Sequence, residues 1–336
     1  MSTACKYKRL PTYVPRRYLY MQLTNPVMPL TNQQKQQISD FSDRIDLIEQ
    51  GGLITDLDGT LIRQDGGRYF MPDPVSTGLQ GIYNTNCPVV INSIRFPLSV
   101  INTFAKQWFS ISKVSVPLVT LNGSQTGYIH KDKKGGFTFE EVESFPLGQK
   151  ELASFISDLE NITEGGGNAL AFYYPRDWKK GEIIWTADPD KVAETKQKYK
   201  SASHVHAGDI KSLDQHLGNE DISMIFLLDL REDSGIPARH SDHKDFYTAK
   251  NVNKSSGAKN MVKHLDRQIH HFIGAGDTPM DVFLKEVGLA LKVGRMDLGF
   301  ECKSPVVQID HIEDIGDVFN EIAISCTRSK ILSDHR

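Results

Sequence analysis

The chain has few cysteines and no long hydrophobic run. Its 336 residues include four cysteines, and none of them forms a CxxC pair. This argues against a disulfide scaffold and against a cysteine-based metal site, and we expect a reducing, cytoplasmic environment. No stretch approaches the roughly 20 consecutive apolar residues that a membrane helix needs. The N-terminus also lacks the apolar core of a signal peptide, so no membrane partner is expected.

The chain also lacks an excess of either charge. It has 39 basic and 42 acidic residues and a net charge of −3, which gives no overall attraction to nucleic acid or to a membrane surface. Hydrophobic residues make up 39% and charged residues 24%, an ordinary composition for a soluble protein. The length suits one large domain or two. A cytoplasmic enzyme is therefore the default expectation.

Two carboxylates stand close together in the run Ile-Thr-Asp-Leu-Asp-Gly-Thr-Leu at residues 54–61. If this run ends a buried strand, Asp56 and Asp58 point to the same side, because side chains at i and i+2 share a face. They would then meet at the carboxyl end of the strand, where open α/β sheets bind ligands. Close carboxylates stay ionised most easily around a cation, and Mg²⁺ prefers oxygen ligands. An Asp-Gly turn without any chemistry is the alternative.

Strands and helices alternate on both sides of a long central stretch. Short apolar runs typical of buried parallel strands end at Asp56 and cover 87–93, 117–121, 270–275 and 289–293. Helical patterns cover 74–85, 97–109, 255–266 and 279–287. The alternation predicts an α/β fold with a doubly wound, Rossmann-like parallel sheet. In the long central stretch, mixed strands with few helices between them predict an inserted α+β module.

The predicted domains follow from these patterns of strands and helices. Residues 1–50 form an N-terminal extension, with an irregular basic arm and a helix from Asn32 to about Gln50. Residues 51–124 and 250–336 form the core, and residues 125–249 form the insert. The arm carries tyrosines among its basic residues, and it is either a contact for a phosphate-bearing partner or a loosely packed leader.

Three more polar residues fall at predicted strand ends or helix starts. The hydroxyl of Ser93 could donate to a phosphoryl oxygen or cap the next helix. Arg95 could pair with a phosphate, or it could be a solvated charge on the protein surface. Lys254 opens the helix after the insert, where it could neutralise a nucleophile and a phosphate, or be one of several surface lysines.

A second acidic pair lies in the run Gly-Ala-Gly-Asp-Thr-Pro-Met-Asp at residues 274–281. Asp277 ends a predicted strand, and Asp281 follows about one helical turn later on the same side. These oxygens could complete a site for a hard cation, either as two ligands or as a ligand and its orienting partner. Helix capping is the alternative for this pair.

Taken in order, these residues resemble the four motifs of the haloacid dehalogenase superfamily. The set is Asp56-x-Asp58-Gly-Thr60, Ser93, Lys254, and Asp277 with Asp281. The runs Val-Val-Ile-Asn-Ser-Ile-Arg at 89–95 and Val-Thr-Leu-Asn-Gly at 119–123 resemble the Cof-like branch, to which the sucrose-phosphate and trehalose-phosphate phosphatases are related. The long insert between Ser93 and Lys254 implies a C2-type cap.

The sequence departs from that branch at three points. Ile94 stands where the branch usually has glycine, and Ser255 stands where a glycine usually follows the lysine. The last motif reads Asp-Thr-Pro-Met-Asp, where Cof-like members commonly have an Asn-Asp pair. These departures leave the subfamily and the substrate open, although every catalytic group is present.

The resemblance implies a phosphatase with Mg²⁺ as cofactor. Asp56 would be the nucleophile, and Asp58 would protonate the leaving oxygen and then activate water. The metal ligands would come from Asp56, Asp58 (through its backbone carbonyl), Asp277 and Asp281. Ser93 and Lys254 would stabilise the transferring phosphoryl group. The implied substrate is a small phosphate ester, with a sugar phosphate as the first expectation.

Predicted substrate contacts lie in both the core and the cap. They are Thr60, Arg95, Asn122, Tyr174 and Arg176. The cap pair belongs to an aromatic and basic cluster that suits a ring, although aromatics at alternating strand positions also form cores. Two other functions stay open: a phosphomutase or phosphotransferase that passes the phosphoryl group to another acceptor, and a protein-binding module on the same fold. The sequence leaves the oligomeric state undetermined.

Overall fold

The computed structural model describes residues 30–230 and 246–334, with side chains up to residue 328. The strands are β1 (Gly52–Thr55), β2 (Arg63–Asp65), β3 (Arg68–Phe70), β4 (Val89–Asn92), β5 (Val116–Thr120), β6 (Gln125–Lys131), β7 (Phe137–Ser144), β8 (Ala169–Pro175), β9 (Ile183–Thr186), β10 (His204–Ala207), β11 (Ile222–Asp229), β12 (Phe246–Tyr247), β13 (Phe272–Gly276), β14 (Leu289–Val293) and β15 (Val306–Ile309). The helices are α1 (Asn32–Ser42), α2 (Asp73–Asn84), α3 (Pro97–Val100), α4 (Lys106–Ile111), α5 (Gln149–Glu164), α6 (Val192–Lys198), α7 (Ile210–Gly218), α8 (Lys254–His264) and α9 (Ile315–Asp334). A π-helical turn at Ile101–Ala105 joins α3 to α4.

The main sheet has eight strands in the order β15-β14-β13-β1-β4-β5-β6-β7. The first six are parallel, and β6 and β7 add to the edge as antiparallel strands. Alternate side chains of β1 enter two different clusters: Leu53 packs with α2, α9 and the α3–α4 helix, and Ile54 packs with α8. Helices therefore cover both faces, which confirms the predicted doubly wound α/β fold.

The second sheet has five strands in the order β10-β9-β8-β11-β12. One face packs against α5 and α7 through residues such as Phe155 and Leu213. The other face packs against the main domain, since its Phe172 and Met224 share a cluster with Phe96 and Leu121. This sheet is thus a cap that lies over the carboxyl end of β4.

The boundary of the insert differs from the sequence prediction. The predicted insert begins at residue 125, but β6 pairs with β5, and β7 pairs with β6, so that both strands extend the main sheet. The Gln125 end of β6 directly follows the turn at Leu121–Gly123, so the chain reverses into a hairpin before it leaves for the cap. We therefore propose that the cap comprises α5 to β12.

Two predicted helices differ from the observed ones. The helix predicted at 279–287 is only a short 3-10 turn at Val282–Lys285. The Asp281 carboxylate accepts hydrogen bonds from the backbone N–H groups of Asp277 and Thr278, and this loop geometry replaces the first helical turn. The first helix ends at Ser42 instead of Gln50. Beyond it, Asp46 accepts bonds from the N–H groups at positions 48 and 49, which forms a turn.

The segment before β1 is packed onto the main domain. Ile38 and Phe41 of α1 are buried in the same cluster as α9. Arg267 donates a hydrogen bond of 2.7 Å to the Ile48 carbonyl oxygen. The irregular basic arm was predicted at residues 1–30, and all of it except Leu30 lies outside the described residues. Across the described parts of the chain, no helix has both the length and the apolarity needed to cross a bilayer.

Candidate active site

Asp56 lies directly after β1, in the middle of the main sheet, and is 5% exposed. Its backbone N–H donates to the Ala275 carbonyl oxygen of β13 at 2.8 Å, which continues the parallel pairing by one residue. Lys254, 2% exposed, donates from Nζ to Asp56 Oδ1 at 2.6 Å and to Asp281 Oδ1 at 2.7 Å. One buried lysine therefore joins two acids that are far apart in sequence.

Three carboxylates form the acidic centre of the site. Oxygens of Asp56, Asp277 and Asp281 all lie within 4.8 Å of one another, the one such group of potential metal ligands among the described residues. Burial raises the pKa of Asp56 well above its usual value, and the neighbouring acids add to this, while Lys254 opposes it. Burial, with a further contribution from Asp281, raises the pKa of Asp277 to about 7. Two buried acids and one half-buried acid around one lysine leave excess negative charge, which fits a divalent cation with oxygen ligands.

The loop after β13 fixes Asp281. Its Oδ2 accepts from the backbone N–H groups of Asp277 and Thr278, both at 2.9 Å, and its Oδ1 accepts from Lys254. A Cβ on Gly276 would overlap the Asp281 side chain, so only glycine fits here. Both oxygens of Asp281 already have partners, and Asp277 is thereby held at the edge of the centre.

Thr60 lies against Asp277. Its Oγ1 is 3.4 Å from Asp277 Oδ1, and Thr60 is fully buried. Gly59 has a φ of +75°, and a Cβ there would overlap the Asp277 carboxylate. The Asp-Gly-Thr turn thus approaches the acidic centre closely, and the predicted substrate contact Thr60 is bonded to an acid in this structure.

Asparagines hold Lys254 at the start of α8. Asn92 Nδ2 donates to the Lys254 carbonyl oxygen at 3.0 Å, and the Lys254 backbone N–H donates to Asn122 Oδ1 at 3.3 Å. The side chain of Asn253 caps the helix by accepting from the N–H groups of Ser255 and Ser256. Asn122, predicted to contact the substrate, lies outside the cavity wall and positions the lysine.

Gly123 makes the close contact between the turn after β5 and α8. Its φ is +94°, and a Cβ there would overlap the Asn253 carbonyl oxygen. Gly135, in the β6–β7 hairpin, has a similar φ of +87° but open space around it. We expect Gly123→Ala to lower the free energy of unfolding by about 1–3 kcal/mol more than Gly135→Ala, because only Gly123 adds overlap to backbone strain. Chemical denaturation of both variants measures this, and equal losses would contradict it.

Asp58 and Arg95 form the second charged pair of the site. Arg95 donates to Asp58 through Nε and Nη2, both at 2.6 Å, in a bidentate pair. The guanidinium also lies over the Tyr69 ring at 4.2 Å from the centroid. The Asp58 side chain is outside the group of three acids. Arg95, predicted to bind phosphate, is therefore bonded to the predicted acid–base residue.

Ser93 follows β4, as predicted, and is fully buried. Its Oγ accepts a hydrogen bond of 3.2 Å from the backbone N–H of Arg95, so it forms the turn that carries the arginine. Its own N–H donates to the Val119 carbonyl oxygen of β5 at 2.9 Å. Neither bond uses the Ser93 hydroxyl proton, because the first has Oγ as its acceptor and the second has the backbone N–H as its donor.

A cavity of about 600 Å³ lies between the main domain and the cap, and Asp56, Asp58 and Lys254 line its floor. Tyr174 lines the cap side, where it was predicted to meet the substrate. Arg176 lies elsewhere: it pairs with Glu141 at 2.7 Å and with Asp221 at 3.5 Å on the outside of the cap. The structure therefore does not bring Arg176 to the site, because β8 has left the cavity by that residue.

Two cavity residues had no signal in the sequence. Tyr69 lies on β3 and reaches the site through Arg95. Glu182 is 8% exposed and lines the cap side of the cavity beside Tyr174. Neither belongs to a motif, and both depend on segments that meet only in the folded chain.

The family comparison agrees with this geometry. A family model described as haloacid dehalogenase-like hydrolase matches residues 53–295, which span β1 to the end of β14 and include every residue of the acidic centre. The chain belongs to the haloacid dehalogenase-like hydrolases. The predicted family and the prediction of an enzyme are thereby confirmed. No curated protein sequence matches the chain.

Solved structures share the fold of this haloacid dehalogenase-like hydrolase. A protein from Thermotoga maritima is 15% identical, with a TM-score of 0.54 over 80% of this chain and 95% of that chain. A phosphatase of the superfamily from Bacteroides thetaiotaomicron is 14% identical, with a TM-score of 0.54 over 81% and 94%. A sugar phosphatase of subclass IIB is 13% identical, with a TM-score of 0.53 over 83% and 99%. At these identities the likeness concerns the fold.

Proposed function

We propose that this hydrolase is a Mg²⁺-dependent phosphatase that cleaves a small phosphate monoester through an aspartyl-phosphate intermediate. The observation that carries the proposal is the position of Asp56, buried in the acidic centre and bonded to Lys254 at the floor of the cavity. A sugar phosphate is the substrate class that the sequence predicts, and one structural relative is described as a sugar phosphatase. The sugar phosphate stays an expectation from the sequence, and the proposal itself is limited to a small phosphate monoester.

The residues present fit a divalent cation. Asp56 and Asp277 would supply side-chain oxygens, and the Asp58 backbone carbonyl would add another. We assign Asp281 to positioning, because its two oxygens already accept bonds from Lys254 and from the loop N–H groups. When bound, the ion would neutralise charge on the phosphoryl oxygens and on the acids around them.

Asp56 is the proposed nucleophile. Lys254 binds its Oδ1, which leaves Oδ2 to attack phosphorus as the bond from phosphorus to the ester oxygen breaks. The same lysine lies close enough to balance negative charge on the transferring group. Its bond to Asp281 fixes the ammonium group, so this stabilisation is in place before the reaction starts.

Asp58 is the proposed acid and base. It would give a proton to the leaving alkoxide, and then take one from the water whose oxygen attacks phosphorus and releases Asp56. In the structure both Asp58 oxygens bind Arg95. One of them must be released for proton transfer, and Arg95 would then face the cavity, where it can bind a phosphoryl oxygen.

The direct test measures phosphate release from para-nitrophenyl phosphate with Mg²⁺ and with a chelator. We expect turnover that chelation abolishes and that Mg²⁺ restores. Full activity after thorough metal removal would contradict the proposed mechanism. A strict requirement for a bisphosphate activator would favour the phosphomutase instead, since a mutase needs a bisphosphate as the donor that phosphorylates its aspartate.

Mg²⁺ affinity is expected to depend on pH. Because the pKa of Asp277 is raised to about 7, this carboxyl holds a proton in the metal-free protein when the pH is lower, and a binding cation must displace that proton. Affinity should fall about tenfold per pH unit for each displaced proton as the pH drops below about 7. The raised pKa of Asp56 acts in the same direction. Calorimetry from acidic to mildly alkaline pH, in buffers of different ionisation enthalpy, measures the affinity and the protons released.

Asp277→Asn is the matched variant for this titration, because it keeps the side-chain volume and removes one titrating group. It should bind Mg²⁺ more weakly and release fewer protons on binding than the wild type. An affinity that stays constant across the same pH range in the wild type would contradict a site built from these acids.

A further inference from the structure

The cavity has a charged floor and largely apolar walls. Beyond Asp56, Asp58 and Lys254 at the floor, the wall is formed mainly by aromatic, aliphatic and methionine side chains, including Phe96, Leu98, Met224, Phe226 and Met280. Most of these are buried in the cluster where the cap meets the main domain. A ligand that fills about 600 Å³ must therefore bury much of its surface against hydrocarbon.

The cap side of this wall carries one carboxylate, that of Glu182. Glu182 Oε2 accepts a hydrogen bond of 2.8 Å from the Tyr174 hydroxyl, and Oε1 accepts one of 3.3 Å from Ser201. Among the described residues, no lysine, arginine or histidine forms an ion pair with it. Burial raises the pKa of Glu182, while the bonds from Tyr174 and Ser201 and the charge of Arg95 oppose that rise. The carboxylate is thus buried with neutral donors alone.

This arrangement leaves Glu182 with unused acceptor capacity. A carboxylate has about four lone-pair sites, and two donors are bonded here. Burial and the Glu182 charge raise the pKa of Tyr174 well above its usual value, so the Tyr174 hydroxyl remains a donor. Leaving a buried carboxylate short of partners is costly, and a further donor from a ligand would lower that cost.

We propose that Glu182 is the specificity residue of the cap and that it accepts a hydrogen bond from the leaving group of the substrate. The substrate class is then a phosphate monoester whose leaving group has an apolar body and ends in a donor, either a hydroxyl or an ammonium group. This inference rests on the proposed phosphatase activity. The phosphate lies at the floor, the apolar body lies between Phe96 and Met224, and the donor reaches the Glu182 side of the wall.

A polyhydroxylated sugar fits this wall less well than an amphipathic ester. Each sugar hydroxyl needs a hydrogen-bond partner once it leaves water. The main domain contributes the polar side chains of Ser99, Asn102, Thr103 and Thr278 to the wall, but the aromatic, aliphatic and methionine side chains that form most of it offer no such partner. The polar groups on the cap side are concentrated at Tyr174, Glu182 and Ser201. One donor at the end of the leaving group can reach these polar groups, whereas the hydroxyls around a whole sugar ring would also lie against Phe96 and Met280.

The experiment measures kcat/KM for phosphate release from a matched series of esters. The series is benzyl phosphate, its para-hydroxymethyl, para-aminomethyl and para-carboxyl derivatives, and a hexose monophosphate as the polyhydroxylated arm. We expect the hydroxymethyl or aminomethyl ester to exceed benzyl phosphate by about tenfold, as for a hydrogen bond to a charged group. The carboxyl ester should be the poorest of the benzyl series, because it faces Glu182 with like charge.

Two variants test the residue itself. Glu182→Ala should erase the preference for a donor over unsubstituted benzyl phosphate. Glu182→Gln keeps an acceptor without charge, so it should retain the preference for the hydroxymethyl ester and lose that for the aminomethyl ester. The readout is the kcat/KM of the donor-bearing ester divided by the kcat/KM of benzyl phosphate, both measured on the same variant, so differences in active protein cancel. If Glu182→Ala unfolds the cap, Glu182→Gln still tests the residue, because it keeps the side-chain volume. Glu164→Ala, an exposed glutamate at the end of α5, is the control and should change no ratio.

The outcomes separate this inference from the activity on which it rests. A wild type that releases no phosphate from para-nitrophenyl phosphate would overturn the proposed function. A wild type that releases phosphate but prefers the hexose monophosphate would overturn only the proposed substrate class. A donor preference that is equal in the wild type, Glu182→Ala and Glu182→Gln would overturn the role of Glu182.

Discussion

Asp56→Asn is expected to lower phosphate release by about 10⁴-fold or more, because the amide cannot form the acyl phosphate. The change keeps the shape of the side chain, and Lys254 retains its bond to Asp281. Folding should therefore survive, which circular dichroism can check. Single-turnover assays with para-nitrophenyl phosphate measure both the rate and any covalent phosphate on the protein.

The control for this variant is Asp65→Asn, an exposed aspartate on β2 that removes the same charge away from the acidic centre. It should keep activity close to that of the wild type. If Asp56→Asn released phosphate as fast as the wild type, the nucleophile would have to be another group. If neither the wild type nor Asp56→Asn released phosphate from any ester, a protein-binding module would become the better explanation of the fold.

Lys254→Met is expected to damage both activity and stability. Asp56 and Asp281 would keep their buried charges without a cation, and breaking such a pair costs about 3–5 kcal/mol of unfolding free energy. Loss of a fixed positive charge beside the transferring group should lower turnover by about 10²–10³-fold. Urea unfolding at neutral pH without metal measures the first effect, and steady-state kinetics with Mg²⁺ measures the second.

The pH dependence of this loss has a definite sign. Without Lys254 the pKa of Asp56, already raised by burial, rises further, so the folded state holds more protons than the unfolded chain. The lost stability should therefore be recovered as the pH falls below that raised pKa. A deficit that grew towards acidic pH would contradict the unpaired carboxylate as its cause.

Lys259→Met on the same helix is the matched control. Lys259 pairs with Glu286 at 3.1 Å, but the side chains are 47% and 32% exposed. Such a pair contributes at most about 1 kcal/mol, so the variant should unfold close to the wild type. Equal losses in the two variants would mean that the effect comes from α8 itself and not from the buried charges.

Much of the main domain could be predicted because its signals are local. The apolar runs at β1, β4, β5, β13 and β14 are short and buried on both sides, and the helical patterns between them are clear. The order of motifs along the chain then predicted that Asp56, Lys254, Asp277 and Asp281 converge, and the structure brings them together. Their catalytic roles stay predictions for the variants above.

The errors arose where a side chain or a distant strand decides the backbone. The predicted helix after Asp277 fails because the Asp281 carboxylate binds the loop N–H groups in place of a helical turn. The predicted start of the insert at residue 125 stays a prediction. We propose a later start because β6 pairs with β5, and an alternating pattern in the sequence does not show which sheet a strand joins. Arg176 was placed in the cavity on composition alone, and its partners Glu141 and Asp221 hold it outside.

The sequence by itself determined the class of fold and the family, and it predicted the acids and the lysine of the proposed site, because burial patterns and motif spacing are properties of short segments. Only the tertiary structure decided which oxygens of those acids are already bonded, that Arg95 binds Asp58, and that Glu182 faces the cavity. Those facts depend on side chains brought together by packing from segments far apart, such as Arg95 with Asp58 and Tyr174 with Phe96. Local pattern cannot supply them, since each partner's position is fixed by the rest of the fold.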